Sequence, residues 1–209
     1  MAAQEIYILG CNRLGEVILI GGSPMIGKST VSILLAAKLL YPCISTDDIG
    51  EILRTISDIS PMKDTFYLDY YSNSGKDQLI ADIVMYHQRL EKSIYRLIEI
   101  HSSWGSPLII EGWALYPNMI EEIKSDHVFS VWLIAEEDLL KQRMIKSNFY
   151  QGANSPEKVI ENYLHRSEWH NKTIFEQCKN KNQKFLMINE NTKPNEIVTS
   201  IYEMINANK

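Results

Sequence analysis

The chain has 209 residues, 45% of them hydrophobic and 22% charged, which is enough apolar material for one globular domain with a sizeable core. A formal net charge of −5 argues against a general nucleic-acid surface, which needs a basic excess. No apolar run approaches the ~20 residues that span a bilayer, and the start "MAAQEIYILG" lacks the basic and long apolar parts of a leader. The cysteines Cys11, Cys43 and Cys178 are widely separated, show no metal-ligand spacing, and suit a reducing, cytoplasmic setting.

No repeat, low-complexity tract or Pro/Gly/Ser-rich linker divides the sequence, so residues 1–209 read as one domain with local insertions. In chain order, "EVILI" (Glu16–Ile20) reads as a strand and Lys28–Leu40 as a helix. "YPCIS" (Tyr41–Ser45) leads into a short helix, "DDIGEILRTI". A long helical pattern runs from about Lys76 to His101. "PLIIEG" (Pro107–Gly112), "HVFSVWLIA" (His127–Ala135) and "KFLMIN" (Lys184–Asn189) read as buried strands, being short, apolar and bounded by turn residues. Helical patterns at Glu136–Lys146, about Ser155–Cys178 and Pro194–Ile205 complete the alternation. Such alternation predicts an α/β fold with a parallel sheet and helices on both faces. Ligands in such sheets bind beyond the carboxyl ends of the strands.

The segment between the first strand and first helix is "GGSPMIGKST". The spacing G-x-x-x-x-G-K-[ST] is met by Gly22, Gly27, Lys28 and Ser29, around Ser23, Pro24, Met25 and Ile26 and followed by Thr30. Glycine permits φ > 0 and close backbone approach, so successive N–H groups can point at a phosphate. The helix N-terminus adds unpaired donors and partial positive charge. Lys28 is placed to reach the β- and γ-phosphates of a nucleotide, and Ser29 to offer its hydroxyl to Mg²⁺.

The strand-end rule then selects carboxylates. After the second strand, "STDD" carries Asp47, a candidate to take the proton of a substrate hydroxyl or to hold magnesium through water; one of Asp47 and Asp48 is needed as a helix cap. Glu111 ends the third strand and is an awkward residue to bury without a purpose. It is the alternative base, or a holder of Mg²⁺ through water, and Trp113 follows as a pocket wall or a core residue. The pattern "EEDLLKQRMIKSNFYQGANSPEKVIENYLHR" is a helix broken at "NFYQGANSP", which suits a lid over about 143–166. Arg143 is its leading candidate to neutralise charge on a transferred phosphoryl group, ahead of Lys146 and Arg166. The tyrosine-rich stretch over about 55–80, with Arg54, Lys63, Tyr67, Tyr70 and Tyr71, is the expected substrate-binding insertion. The five histidines show no ligand spacing, and "NENTKP" (Asn189–Pro194) lies where a loop could meet a nucleotide base.

On "GGSPMIGKST", "ISTDDIGEILR" and "LIIEGWALYP", with weaker likeness through "KQRMIK" and "ENYLHR", the chain resembles the P-loop small-molecule kinases of the adenylate-kinase type. Within them it is most similar to 2-phosphoglycerate kinase-like and zeta-toxin-like members. The resemblance implies a P-loop NTPase fold with a five-stranded parallel sheet, ATP with Mg²⁺, and γ-phosphate transfer to a small hydroxylated substrate. It assigns Lys28 and Ser29 to phosphate and metal, Asp47 to the substrate side, and Arg143 to the lid. Two departures border the implied substrate pocket: the family's "STDDIR" has a basic residue where this chain has Gly50, and its "EGVHL" has a histidine where this chain has Ala114. They argue against 2-phosphoglycerate itself, whose two anionic groups need cationic partners, although Arg54 could supply one. A nucleotide-binding switch or a simple NTPase is the other reading of the same loop.

Overall fold

The computed structural model describes residues 16–56, 66–123 and 125–207, so Cys11 and Lys63 lie outside the described residues. Its strands are β1 (Val17–Gly22), β2 (Cys43–Ser45), β3 (Leu108–Glu111), β4 (Val128–Ala135) and β5 (Phe185–Ile188). They form one parallel sheet in the order β2-β3-β1-β4-β5. The helices are α1 (Lys28–Leu39), α2 (Thr46–Arg54), α3 (Tyr67–Asn73), α4 (Lys76–Trp104), α5 (Leu139–Ser147), α6 (Pro156–Asn180) and α7 (Pro194–Ala207), with a 3₁₀ turn at Pro117–Glu122.

Every residue of β1 is buried, as a central strand covered on both faces requires. The period-2 pleat sends Ile18 and Ile20 to one side, against Val31 and Leu35 of α1 and Ile197 and Ile201 of α7. Val17 and Leu19 face the other side, against Leu90, Ile94 and Ile98 of α4. Each aliphatic side chain fully buried this way stabilises by roughly 1.5–3 kcal/mol. On α4 the buried residues Leu79, Ile83, His87, Leu90, Ile94 and Ile98 recur in steps of three and four, one stripe of the helix. Because β1 is the middle strand, the loop after it opens at the centre of the sheet's carboxyl edge.

Two elements differ from the sequence reading. β5 is not fully buried: among the described residues it is an edge strand paired only with β4, and Met187 is 41% exposed. The tyrosine-rich segment contains a helix, α3, secured from outside: Asn162 Nδ2 on α6 donates to Tyr71 O at 2.8 Å and to Ser74 O at 3.1 Å. Among the described residues no helix is long and apolar enough to cross a membrane.

Gly112 fixes the turn that leaves β3. Its φ is 152°, and a Cβ there would run into the side chain of Thr46 at the start of α2. Gly112→Ala is expected to cost about 2–4 kcal/mol from backbone strain and overpacking together. Urea denaturation reads this as a lower midpoint with an unchanged slope; an unchanged midpoint would show that α2 shifts freely.

Candidate active site

The loop between β1 and α1 has the geometry its composition demands. Gly22 has φ 136° and Gly27 φ 94°, and Met25 is also left-handed at 62°. A Cβ on Gly22 would strike the Leu133 carbonyl of β4. Beneath the loop Ile26 is fully buried, and buried Ser23 donates from Oγ to Ser167 O on α6 at 2.7 Å. Pro24 and Met25 face a cleft of about 460 Å³, while Thr30 is exposed. The backbone thus offers a turn of donors at the start of a helix, which fits a chain of phosphates.

Lys28 is buried, and its Nζ donates to Ser23 O across the loop at 2.8 Å. Burial pushes its pKa down to about 8, against the charges of Glu111 and Asp47, which raise it. A lysine lowered in this way is charged below that pH and loses its proton above it. Phosphates arriving beside Nζ favour the charged form. Nucleotide affinity is therefore expected to fall as pH rises through about 8, and binding near pH 9 to take up a proton. Calorimetry in two buffers of different ionisation enthalpy measures the uptake; binding with no proton exchange would place Lys28 outside the phosphate site.

Ser29 Oγ donates to Glu111 Oε1 at 2.9 Å, which joins the start of α1 to the end of β3. Glu111 is buried, and burial raises its pKa, while Lys28 and the Ser29 hydrogen bond oppose the rise. A hydroxyl and a carboxylate are hard oxygen donors of the kind Mg²⁺ takes beside nucleotide phosphates, so these residues fit the ion. Among the described residues no three His, Cys, Asp or Glu gather into an all-protein metal cage.

Asp47 lies in the first turn of α2, exposed on the same cleft. The capping role falls elsewhere: Ser45 Oγ accepts from Asp48 N at 2.9 Å, and the Asp48 carboxylate accepts from Ser45 N. Trp113 Nε1 donates to Asp47 Oδ1 at 2.9 Å, so the indole fixes the carboxylate and leaves Oδ2 without that partner. Arg54 also lines the cleft, held to Glu51 at 3.1 Å. The two positions expected at the pocket border do not line this cleft. Gly50 is buried under Tyr86, whose hydroxyl fills the space a side chain there would take, and Ala114 lines a separate cavity with His87, Tyr116 and Met119.

No family model matches the chain. It is 28% identical over 173 residues to a 2-phosphoglycerate kinase of Methanocaldococcus jannaschii, covering 76% of this chain and 53% of that one. It is 26% identical over 146 residues to a mevalonate-3-phosphate 5-kinase of Thermoplasma acidophilum, covering 68% and 72%. The chain's relatives are small-molecule kinases. It spans about half the length of the 2-phosphoglycerate kinase it matches. A sugar kinase from Janibacter sp. HTCC2649 superimposes with a TM-score of 0.58 at 13% identity, over 92% of this chain and 95% of that one. The fold is that of the P-loop NTPases.

Within this P-loop fold the arginines sort differently from their order in the sequence reading. Arg143 on α5 donates from Nη1 to Met25 O at 2.9 Å, bracing the loop's backbone, and is not among the residues lining the cleft. Lys146 is exposed. Arg166 on α6 does line the cleft: it is 6% exposed, with its guanidinium carbon 4.4 Å from the Trp113 ring centre and 4.8 Å from that of Tyr71. Its Nε has no hydrogen-bond partner among the described residues.

The histidines contribute support that spacing did not show. His170 is fully buried and donates from Nε2 to Trp113 O at 2.8 Å. Burial pushes its pKa down to about 3, so the ring is neutral at physiological pH. His87 stands edge-on to Trp113 at 4.7 Å, and its Nδ1 meets the Tyr116 hydroxyl at 3.0 Å. The signal was available in α6, where Asn162, Arg166, Ser167 and His170 form a polar strip on a buried face that ordinarily carries apolar residues.

Proposed function

We propose that the chain is an ATP-dependent kinase that transfers the γ-phosphate to a hydroxyl of a small acceptor, in the manner of the 2-phosphoglycerate kinase and mevalonate-phosphate kinase it resembles. The observation that carries this reading is the convergence of Lys28, Ser29, Asp47 and Arg166 on one cleft at the sheet's carboxyl edge. A nucleotide switch needs no exposed carboxylate opposite its phosphate loop and no buried arginine facing it.

In this reading Gly22–Thr30 cradle the phosphates and Lys28 neutralises them. Ser29 and Glu111 would hold Mg²⁺, which would screen the charge on the phosphates. Asp47 Oδ2 accepts the proton of the acceptor hydroxyl. The hydroxyl oxygen forms its bond to the γ-phosphorus as the bond from that phosphorus to the bridging oxygen breaks, and ADP leaves with the electron pair. Arg166 faces the transferring group from between Trp113 and Tyr71. Arg143 steadies the loop. Residues 1–209 act as one catalytic domain, with an acceptor-side insertion over about 55–80 and a lid over about 143–166. Cys43 and Cys178 are free thiols, in keeping with a cytoplasmic setting.

The test is whether ADP release depends on an acceptor. Release that rises with one acceptor, matched by phosphorylated product, supports the reading. Release indifferent to every acceptor would favour a simple NTPase.

A further inference from the structure

The acceptor side of the cleft is walled by the rings of Tyr67, Tyr70, Tyr71, Tyr86, Phe149 and Tyr163. Phe149, from the turn after α5, packs on Tyr67 at 4.7 Å, Tyr163 at 4.9 Å and Tyr71 at 6.0 Å. Rings from the turn after α5, from α3 and from α6 therefore meet in one box, and Tyr86 of α4 adds another wall. A cleft of about 460 Å³ lies in the range of small-ligand sites, roughly 300–1,000 Å³.

Among the described residues, the charges on this cleft leave little for an anionic acceptor. Lys28 lies in the phosphate loop, Arg54 is paired with Glu51, and Arg166 is banked between Trp113 and Tyr71 where the transferring group passes. Asp47 faces the same space and repels a second anion. On α2, the place where a cation could have projected at Gly50 is taken by the Tyr86 hydroxyl.

Resting on the kinase reading, we infer that the acceptor is an uncharged alcohol built on an aromatic or heteroaromatic ring, and not a phosphorylated hydroxy acid. The ring lies among the tyrosines and Phe149, where flat faces and edges complement it. Its hydroxyl reaches Asp47, to which its proton passes as the oxygen takes the phosphoryl group and ADP departs.

The test is calorimetric titration of the full chain, loaded with Mg²⁺ and the non-hydrolysable analogue AMP-PNP, against two probe sets. One set is 4-hydroxybenzyl alcohol, pyridoxine and adenosine; the other is 3-phosphoglycerate and glycerol 3-phosphate. At least one aromatic alcohol is expected to bind roughly tenfold more tightly than either phosphorylated probe. Phe149→Ala is expected to weaken that aromatic probe by roughly fivefold to tenfold, with Phe149→Leu weakening it less and both variants retaining the wild-type circular dichroism spectrum. Tighter binding of a phosphorylated probe, or no binding by either set while AMP-PNP binds, overturns the acceptor class and leaves the kinase reading standing. Failure of AMP-PNP itself to bind overturns both.

Discussion

Asp47→Asn is expected to lower kcat by about 10²–10⁴-fold while ATP affinity stays within about a factor of two. The substitution is nearly isosteric, and the amide oxygen can still accept from Trp113 Nε1, so the wall of the cleft keeps its shape. An amide cannot take up the acceptor's proton at neutral pH. The loss therefore falls on the chemical step, and the nucleotide is held by other residues, chiefly the loop and Lys28. Steady-state kinetics with an active acceptor, beside calorimetry with AMP-PNP, separates the two quantities. An unchanged kcat would move the base to Glu111, whose pKa burial raises and whose carboxylate accepts from the Ser29 hydroxyl.

The second large effect belongs to Arg166. Arg166→Lys is expected to cost about 10²–10³-fold in kcat, the magnitude of losing one well-placed donor to a developing charge. Lysine keeps the charge but not the planar fork, and it cannot lie flat between Trp113 and Tyr71. Arg143→Lys, made in parallel, is expected to cost less than about tenfold, because Arg143 holds the Met25 carbonyl and touches the reaction only through the loop. Both variants are read in the same assay, with urea midpoints measured to show that the fold persists. The reverse order of effects would return the lid role to Arg143.

That contrast marks what the sequence could show. β1, the loop and α1 were legible because phosphate binding demands glycines, a lysine and a hydroxyl at fixed spacing, and the surrounding apolar runs frame them. Asp47 and Glu111 were legible because a parallel sheet brings its strand ends to one edge, so position in the alternation selects them. Arg166 was not separable from Arg143 by such reasoning. What distinguishes them is which face of α6 packs on the sheet and on α3, a matter of tertiary contacts from Tyr71, Trp113 and Tyr163. α3 was hidden for the same reason, since its last carbonyls are satisfied by Asn162, which is far away in the chain. Gly50 illustrates a subtler limit: its departure from the family pattern was visible, but only the packing of Tyr86 shows that an aromatic residue fills the place. The hydrogen bond from Trp113 to Asp47 joins two residues whose importance was separately visible, and their pairing was not.

The central claim is that this cleft passes a phosphoryl group to an alcohol. Phosphorus-31 magnetic resonance of the wild-type chain with Mg²⁺, ATP and a broad alcohol panel, aromatic alcohols, sugars and phosphorylated hydroxy acids together, followed over time, tests it most directly. The account predicts that the γ-phosphate signal is replaced by that of a phosphate monoester, in step with the appearance of ADP. Growth of inorganic phosphate alone, at the same rate with and without every alcohol, would contradict it.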